Sequence, residues 1–194
     1  MNDADFNGLR RAIASYIALS DEEWRVLSLH LKVRSLQKGE LLLSEGEVCQ
    51  FLAFICSGAL VYYYCNDNGA EITTDFAFEN QFVTDNRSRL SNSPSHLNIK
   101  ATEPADLVLL YESDLNELYR LLPKMERVGR MLIEQAYVRL VQLSLDLQIL
   151  SAEERYLKLT REYPQALQRL PLYHIATYLG IAPKSLSRIR GKLS

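Results

Sequence analysis

The sequence predicts an α+β chain: an N-terminal double-stranded β-helix of jelly-roll type, one long helix, and a small C-terminal helix-turn-helix. Three observations carry this. Short apolar runs separated by turn residues fill about 33–111. A helical apolar pattern then continues unbroken from about 124 to 150. The final stretch, LPLYHIATYLGIAPKSLSRIRGKLS, reads as two short helices joined at Gly180. The expected units are 1–123, 124–150 and 151–194.

Taken in order, residues 5–31 carry a helical pattern, with Ser20 and Glu23 spaced as a capping box ahead of Trp24, Val26, Leu27 and Leu31. Residues 51–56 and 59–65 are apolar and aromatic, split by Ser57-Gly58. Asp67-Asn68-Gly69 is a hairpin turn ahead of 72–78. Leu97, Ile99 and Ala101 alternate with polar residues as a half-buried strand does, and 107–111 follows the Glu103-Pro104 turn. Several short strands at this spacing indicate a small barrel or jelly roll. The polar stretch 84–95 reads as a loop or short helix.

Residues 113–122 form a short helix ended by Pro123. On the long helix that follows, Val128, Met131, Leu132, Gln135, Val138 and Gln142 lie on one side. Leu140, Leu143, Leu147 and Leu150 form a second strip. A helix apolar over so much of its circumference must bury two faces. One can cover the roll. The other calls for a second helix, and the simplest supplier is the same helix of another copy in a two-fold homodimer. Ser151 and Glu154 form a second capping box, and Tyr163-Pro164 ends the helix that it starts.

Charge is divided along the chain. The net charge is -2. Residues 1–150 hold 14 Lys and Arg against 21 Asp and Glu, whereas 151–194 hold 8 against 3. A basic terminal unit suits phosphates, and an acidic body is repelled by them. Cys49, Cys56 and Cys65 lie in apolar runs without a C-x-x-C pair and read as reduced thiols. His30, His96 and His174 are isolated. No metal site, cofactor or catalytic dyad is expected, so an enzyme is not expected. There is no run of eighteen apolar residues and no basic-then-apolar leader at the N-terminus, which predicts a cytoplasmic chain with no membrane contact.

In the terminal unit, Ile175, Ala176 and Leu179 form an inner helical face, and Pro183 opens the next helix at a position needing no N–H donor. Leu186, Ile189 and Leu193 repeat at helical spacing and continue the core. The opposite face carries Lys184, Ser185, Ser187, Arg188 and Lys192, the cationic and hydroxyl groups that phosphate positioning and base-edge readout require. The alternative is a small-molecule-binding signalling module whose C-terminal helices dock a protein.

Helix, β-roll, long helix and terminal helix-turn-helix, in that order, resemble the Crp/Fnr superfamily of bacterial transcription regulators. The most specific portion is IATYLGIAPKSLSRIR, residues 175–190, joined by KGE at 38–40 and EGE at 45–47. The resemblance implies a homodimer on double-stranded DNA, with two recognition helices in successive major grooves of a palindrome, and RNA polymerase as a further partner. Carried over by position, Lys184, Ser185 and Arg188 face bases, while Ser187, Arg190 and Lys192 face phosphates. Tyr173 and Thr177 touch the DNA backbone, with His174 a surface or packing residue. Ala182 stands where a capping Ser or Thr is usual. The terminal unit is also short, so the family's wing is expected to be reduced or absent.

In nucleotide-binding relatives a Gly-Glu pair and, some ten residues on, an Arg cradle the cyclic phosphate. Here Thr84 and Asp85 occupy the first positions, and Ser95-His96-Leu97 the second. A phosphate then lacks its main cation unless Arg87, Arg89 or Lys100 reaches in. Weak or no binding of cyclic AMP is expected, with Thr84, Asp85, Arg87, Arg89 and His96 as the effector pocket for an unidentified small molecule. Arg87 and Arg89 are expected to lie in a solvated loop.

Overall fold

The computed structural model describes residues 4–193; residues 1–3 and 194, at the outer ends of the first and third expected units, lie outside the described residues. The N-terminal segment, expected to be helical over 5–31 with a cap at Ser20, is two helices, α1 (Ala4–Ala14) and α2 (Asp21–Leu29). The reason is local. Ser20 caps α2 by accepting the Glu23 N–H while Glu23 accepts the Ser20 N–H. An N-cap needs extended backbone, here φ -69°, ψ 166°, and no helix runs through that conformation.

Eight strands follow: β1 (Leu31–Leu36), β2 (Leu41–Leu43), β3 (Phe51–Ser57), β4 (Leu60–Cys65), β5 (Glu71–Ala77), β6 (Phe82–Val83), β7 (Asn98–Ala101) and β8 (Ala105–Tyr111). The short helix α3 (Asn86–Ser91) lies between β6 and β7, inside the polar stretch 84–95. The strands form two antiparallel four-stranded sheets, ordered β1-β8-β3-β6 and β2-β7-β4-β5. Between them lies a core that includes Ala53, Ile55, Leu60, Ile99 and Leu107. Gly58 makes the β3–β4 turn at φ +94°, where a Cβ would sit 2.5 Å from the Pro104 carbonyl oxygen.

Both outer faces of the roll are covered. On the first sheet, Phe54, Val108 and Leu110 pack with Leu9 and Ile13 of α1, Leu27 of α2, and Leu115 and Leu118 of α4 (Glu112–Leu121). On the second, Val61, Tyr63, Phe76 and Phe78 join one apolar cluster with the C-terminal helices. Those helices are α6 (Ala152–Glu162), α7 (Ala166–Arg169), α8 (Leu172–Tyr178) and α9 (Pro183–Leu193). The capping box at Ser151 and Glu154 starts α6 as its spacing predicts. Among the described residues no strand follows β8.

Between roll and head runs α5 (Met125–Ile149), 25 residues and so about 37 Å long at 1.5 Å per residue. Its first turns are anchored, with Met125 and Val128 buried and Leu132 packed beside them. Farther along it leaves Tyr137, Val138, Leu140, Val141, Leu145 and Ile149 exposed. Of the residues expected on one side, Val128 and Leu132 therefore pack on their own chain, and Gln135 accepts a hydrogen bond from the Tyr16 hydroxyl at 2.9 Å. Val138 and Gln142 are exposed and Met131 is half-buried.

Candidate nucleic-acid interface and ligand cleft

The helix-turn-helix is built on its apolar corner. Ile175, Ala176, Leu179, Leu186 and Ile189 are buried in one cluster. Gly180 turns the chain at φ +69°, and the Ile181 N–H returns to the Ala176 carbonyl at 3.0 Å. Ala182 offers no side-chain cap; its carbonyl accepts from Ser185 and Leu186 at the start of α9. Arg155 of α6, which the sequence did not single out, pins the corner: its Nε donates to the Leu179 carbonyl at 3.1 Å and its Nη1 to the Leu150 carbonyl at 2.5 Å. The outward face of α9 carries Lys184, Ser187, Arg188 and Lys192, all exposed, with Ser185 and Arg190 half-buried. A helix apolar on one side and cationic on the other presents the fixed positive charge of Lys184, Arg188 and Lys192 to solvent.

A cleft of about 790 Å³ opens between the roll, α1 and α5. Thr84, Asp85, Arg87 and Arg89 line it; His96 does not, and is exposed. Asp85 caps α3 by accepting the Ser88 N–H at 3.1 Å, and its other oxygen accepts the Ser95 hydroxyl at 2.7 Å. The residues at the expected phosphate positions thus satisfy one another and offer a carboxylate where an anion would need a cation. Arg87 is exposed and spends Nη2 on the Pro94 carbonyl at 2.6 Å. Arg89 corrects the solvated-loop expectation: its side chain is only 9% exposed, because Glu112 at the start of α4 reaches over to pair with it at 2.9 Å.

The cleft's second polar centre lay outside the sequence reading. Arg139 of α5 donates to Asp75 of β5 at 2.5 Å and to the Phe76 carbonyl at 3.4 Å. Desolvation pushes the Asp75 carboxyl above its ordinary range, and Arg139 offsets part of that rise. Burial likewise pushes the neighbouring Tyr62 phenol up, and Tyr62 accepts the Thr84 N–H.

Residues 33–121 match the family model of the cyclic nucleotide-binding domain. Solved structures extend the likeness over nearly the whole chain. FixK2 from Bradyrhizobium japonicum is 19% identical, with 84% of each chain covered and a TM-score of 0.73. CLP, a c-di-GMP-responsive global regulator of Xanthomonas campestris, is 15% identical, covering 90% of this chain and 91% of its own, with a TM-score of 0.71. A regulator of the Crp/Fnr family from Eubacterium rectale is 18% identical over 90% of this chain and 85% of its own, with a TM-score of 0.68. This chain has the Crp/Fnr fold. No curated protein sequence matches it. No described helix is long and apolar enough to cross a membrane.

Within this Crp/Fnr fold the head is docked on the roll through β5. A bulge there sets Tyr62 opposite Asp75 but Tyr63 opposite Thr73, leaving Thr74 as the extra residue. The extra residue puts Thr73 and Phe76, three apart, on the same outward face, while Thr74 and Asp75 face the cleft. Phe76 meets Tyr163 and Tyr178 edge-on, with centroids 5.2 and 4.8 Å apart. The Thr73 hydroxyl and His174 Nδ1 are 2.8 Å apart. Thr177 accepts the Thr73 N–H, and the Tyr173 hydroxyl donates to the Glu71 carbonyl. Tyr173 and Thr177, placed on the DNA backbone by the resemblance, are here turned to the roll. The sequence did hold a signal for this covering: 59–65 is apolar without alternation, as strands buried on both faces are.

Proposed function

We propose that this chain is a sequence-specific DNA-binding transcription regulator, acting as a homodimer on palindromic sites through α9. One observation carries the reading: Leu186 and Ile189 are buried while Lys184, Arg188 and Lys192 on the same helix are exposed. Such a helix supplies phosphate contacts and an Arg fork for guanine with no desolvation cost before binding. The exposed row Val138, Val141, Leu145 and Ile149 on α5 follows a three-four spacing, which a second copy of α5 would cover. In this reading 151–194 is the DNA-binding unit, 124–150 the dimerisation helix and 1–123 the effector-binding unit. RNA polymerase is the partner through which a bound dimer would act.

The cleft is proposed as a nucleotide pocket altered so that it does not hold cyclic AMP tightly. The mutual bond of Ser95 and Asp85 supports this, since it leaves no cation at the expected phosphate position. The test is selection of bound fragments from genomic DNA by the purified full chain. Enrichment of a palindrome whose half-sites lie about one helical turn apart is the expected result. Recovery of no common sequence, with and without cell extract supplying small molecules, overturns it.

A further inference from the structure

His30 stands alone in the sequence, but the fold gives it two carboxylates. It closes α2 as the C-cap, and the next residue, Leu31, opens β1 opposite Leu110 of β8. β8 leads straight into α4, so the start of α4 returns beside His30. Asp114 and Glu117 lie three apart on α4 and therefore share a face. One ligand atom from each of His30, Asp114 and Glu117 falls within 4.8 Å of the other two.

The spacing fits a metal ion better than it fits a hydrogen bond. His30 Nδ1 and Asp114 Oδ1 are 3.4 Å apart, beyond the usual reach of an N–H···O bond. Two donors bound tetrahedrally to zinc at 2.0–2.1 Å are themselves about 3.4 Å apart. Among the described residues Asp114 has no partner besides His30, and Glu117 has none. No Lys or Arg there neutralises either carboxylate. Glu117 is exposed, so turning its own side chain closes the remaining distance. The backbone beneath is held firmly, since Leu31, Leu115 and Leu118 are buried in one cluster. Ligands on anchored elements are what a preorganised site requires.

We propose that His30, Asp114 and Glu117 bind one divalent transition-metal ion of the zinc class. One imidazole nitrogen and two carboxylate oxygens leave the fourth position to water. The ion would tie the end of α2 to the start of α4, 84 residues apart in sequence. None of the three residues lines the large cleft or belongs to the head. The proposal therefore stands apart from the DNA-binding reading.

The test is calorimetric titration of the full chain, carrying no affinity tag, with zinc chloride, and again with magnesium chloride present at equal concentration. One zinc per chain should bind, and magnesium should not displace it, because magnesium prefers six oxygens and sheds water reluctantly. His30→Ala and Glu117→Gln should each weaken zinc by about tenfold or more. Zinc should raise the unfolding temperature of the wild type and leave that of His30→Ala unchanged. Glu117 is exposed, so its variant decides the matter even if His30→Ala fails to fold. Cys65 and His96 are the exposed competitors for zinc, and Cys65→Ser and His96→Gln should bind it as the wild type does. The proposal is overturned if no zinc binds, if magnesium displaces it, if Glu117→Gln binds it unchanged, or if loss of Cys65 or His96 abolishes binding.

Discussion

Arg169 and Glu79 form a two-pronged ion pair, Nη1 to Oε2 and Nη2 to Oε1, each at 2.7 Å. Arg169 closes α7 in the head, and Glu79 follows β5 in the roll. Glu103 takes the Nε side at 3.1 Å, and the guanidinium lies over the Phe78 ring with its carbon 5.1 Å from the centroid. One residue therefore joins the head to two separate turns of the roll. Planar two-pronged pairing with a carboxylate is a geometry that Lys cannot reproduce.

Arg169→Ala should loosen the head from the roll at a cost of about 1.5–3 kcal/mol, the range for hydrogen bonds to charged groups. Denaturant unfolding followed by tyrosine fluorescence would show it, with faster amide exchange in β5 and α8. Arg169→Lys should recover less than half of the loss.

The same pair gives a dependence on pH. Arg169 holds the Glu79 carboxyl down at about 2, against an ordinary 4.5. A carboxyl depressed on folding contributes stability that is complete above its unfolded value and is lost as pH falls toward the folded one. The loss should thus lie between about pH 4.5 and 2. In Glu79→Gln the stability curve should be flatter over that window.

His174 works in the opposite part of the scale. Burial lowers its pKa below the ordinary 6.5, with nearby Lys100 adding to the effect and Glu71 opposing it. The folded chain then binds fewer protons there than the unfolded chain. Its contribution is full above pH 6.5 and falls as the pH drops below that value. His174→Gln should reduce the change in stability between pH 7.5 and 5.5, read by thermal unfolding.

Phe76→Ala should cost about 3–5 kcal/mol, the usual range for deleting a buried aromatic ring. Phe76 is 1% exposed and packs edge-on against two head tyrosines. The expected signature is a single unfolding transition in the wild type that separates into two in the variant, since roll and head share this cluster.

Leu145→Glu should shift the chain toward monomer in sedimentation velocity while leaving its fold unchanged by circular dichroism. Leu145 is 43% exposed on the outer row of α5, where a second copy is proposed to pack. An unchanged sedimentation coefficient with the wild type dimeric would place the interface elsewhere.

Legibility in the sequence followed range. The capping boxes at Ser20 and Ser151 each link residues three positions apart, and both were readable because a cap is a local event. The hairpin between β4 and β5 was readable at Asp67-Asn68-Gly69 for the same reason. The head's attachment was not. Thr73 and His174 are 101 residues apart, and Arg169 and Glu79 are 90 apart. No periodicity links such positions, and the only trace was the unbroken apolar character of 59–65. In the cleft, Thr84, Asp85, Arg87 and Arg89 were located through the family resemblance, whereas Asp75 and Arg139 were missed. They occupy different elements and meet only once β5 and α5 are packed. His96 fell outside because the turn after Ser95 carries its ring to solvent.

The most direct measurement is fluorescence anisotropy of the full chain on a selected palindrome and on a scrambled duplex, for the wild type, Arg188→Ala and Lys192→Ala. The account predicts wild-type preference for the palindrome of at least about a thousandfold. It predicts a loss of about 1–3 kcal/mol with relaxed specificity in Arg188→Ala, and for Lys192→Ala a uniform weakening with a salt slope smaller by about one. Equal affinity for both duplexes, or an Arg188→Ala variant indistinguishable from wild type, would contradict it.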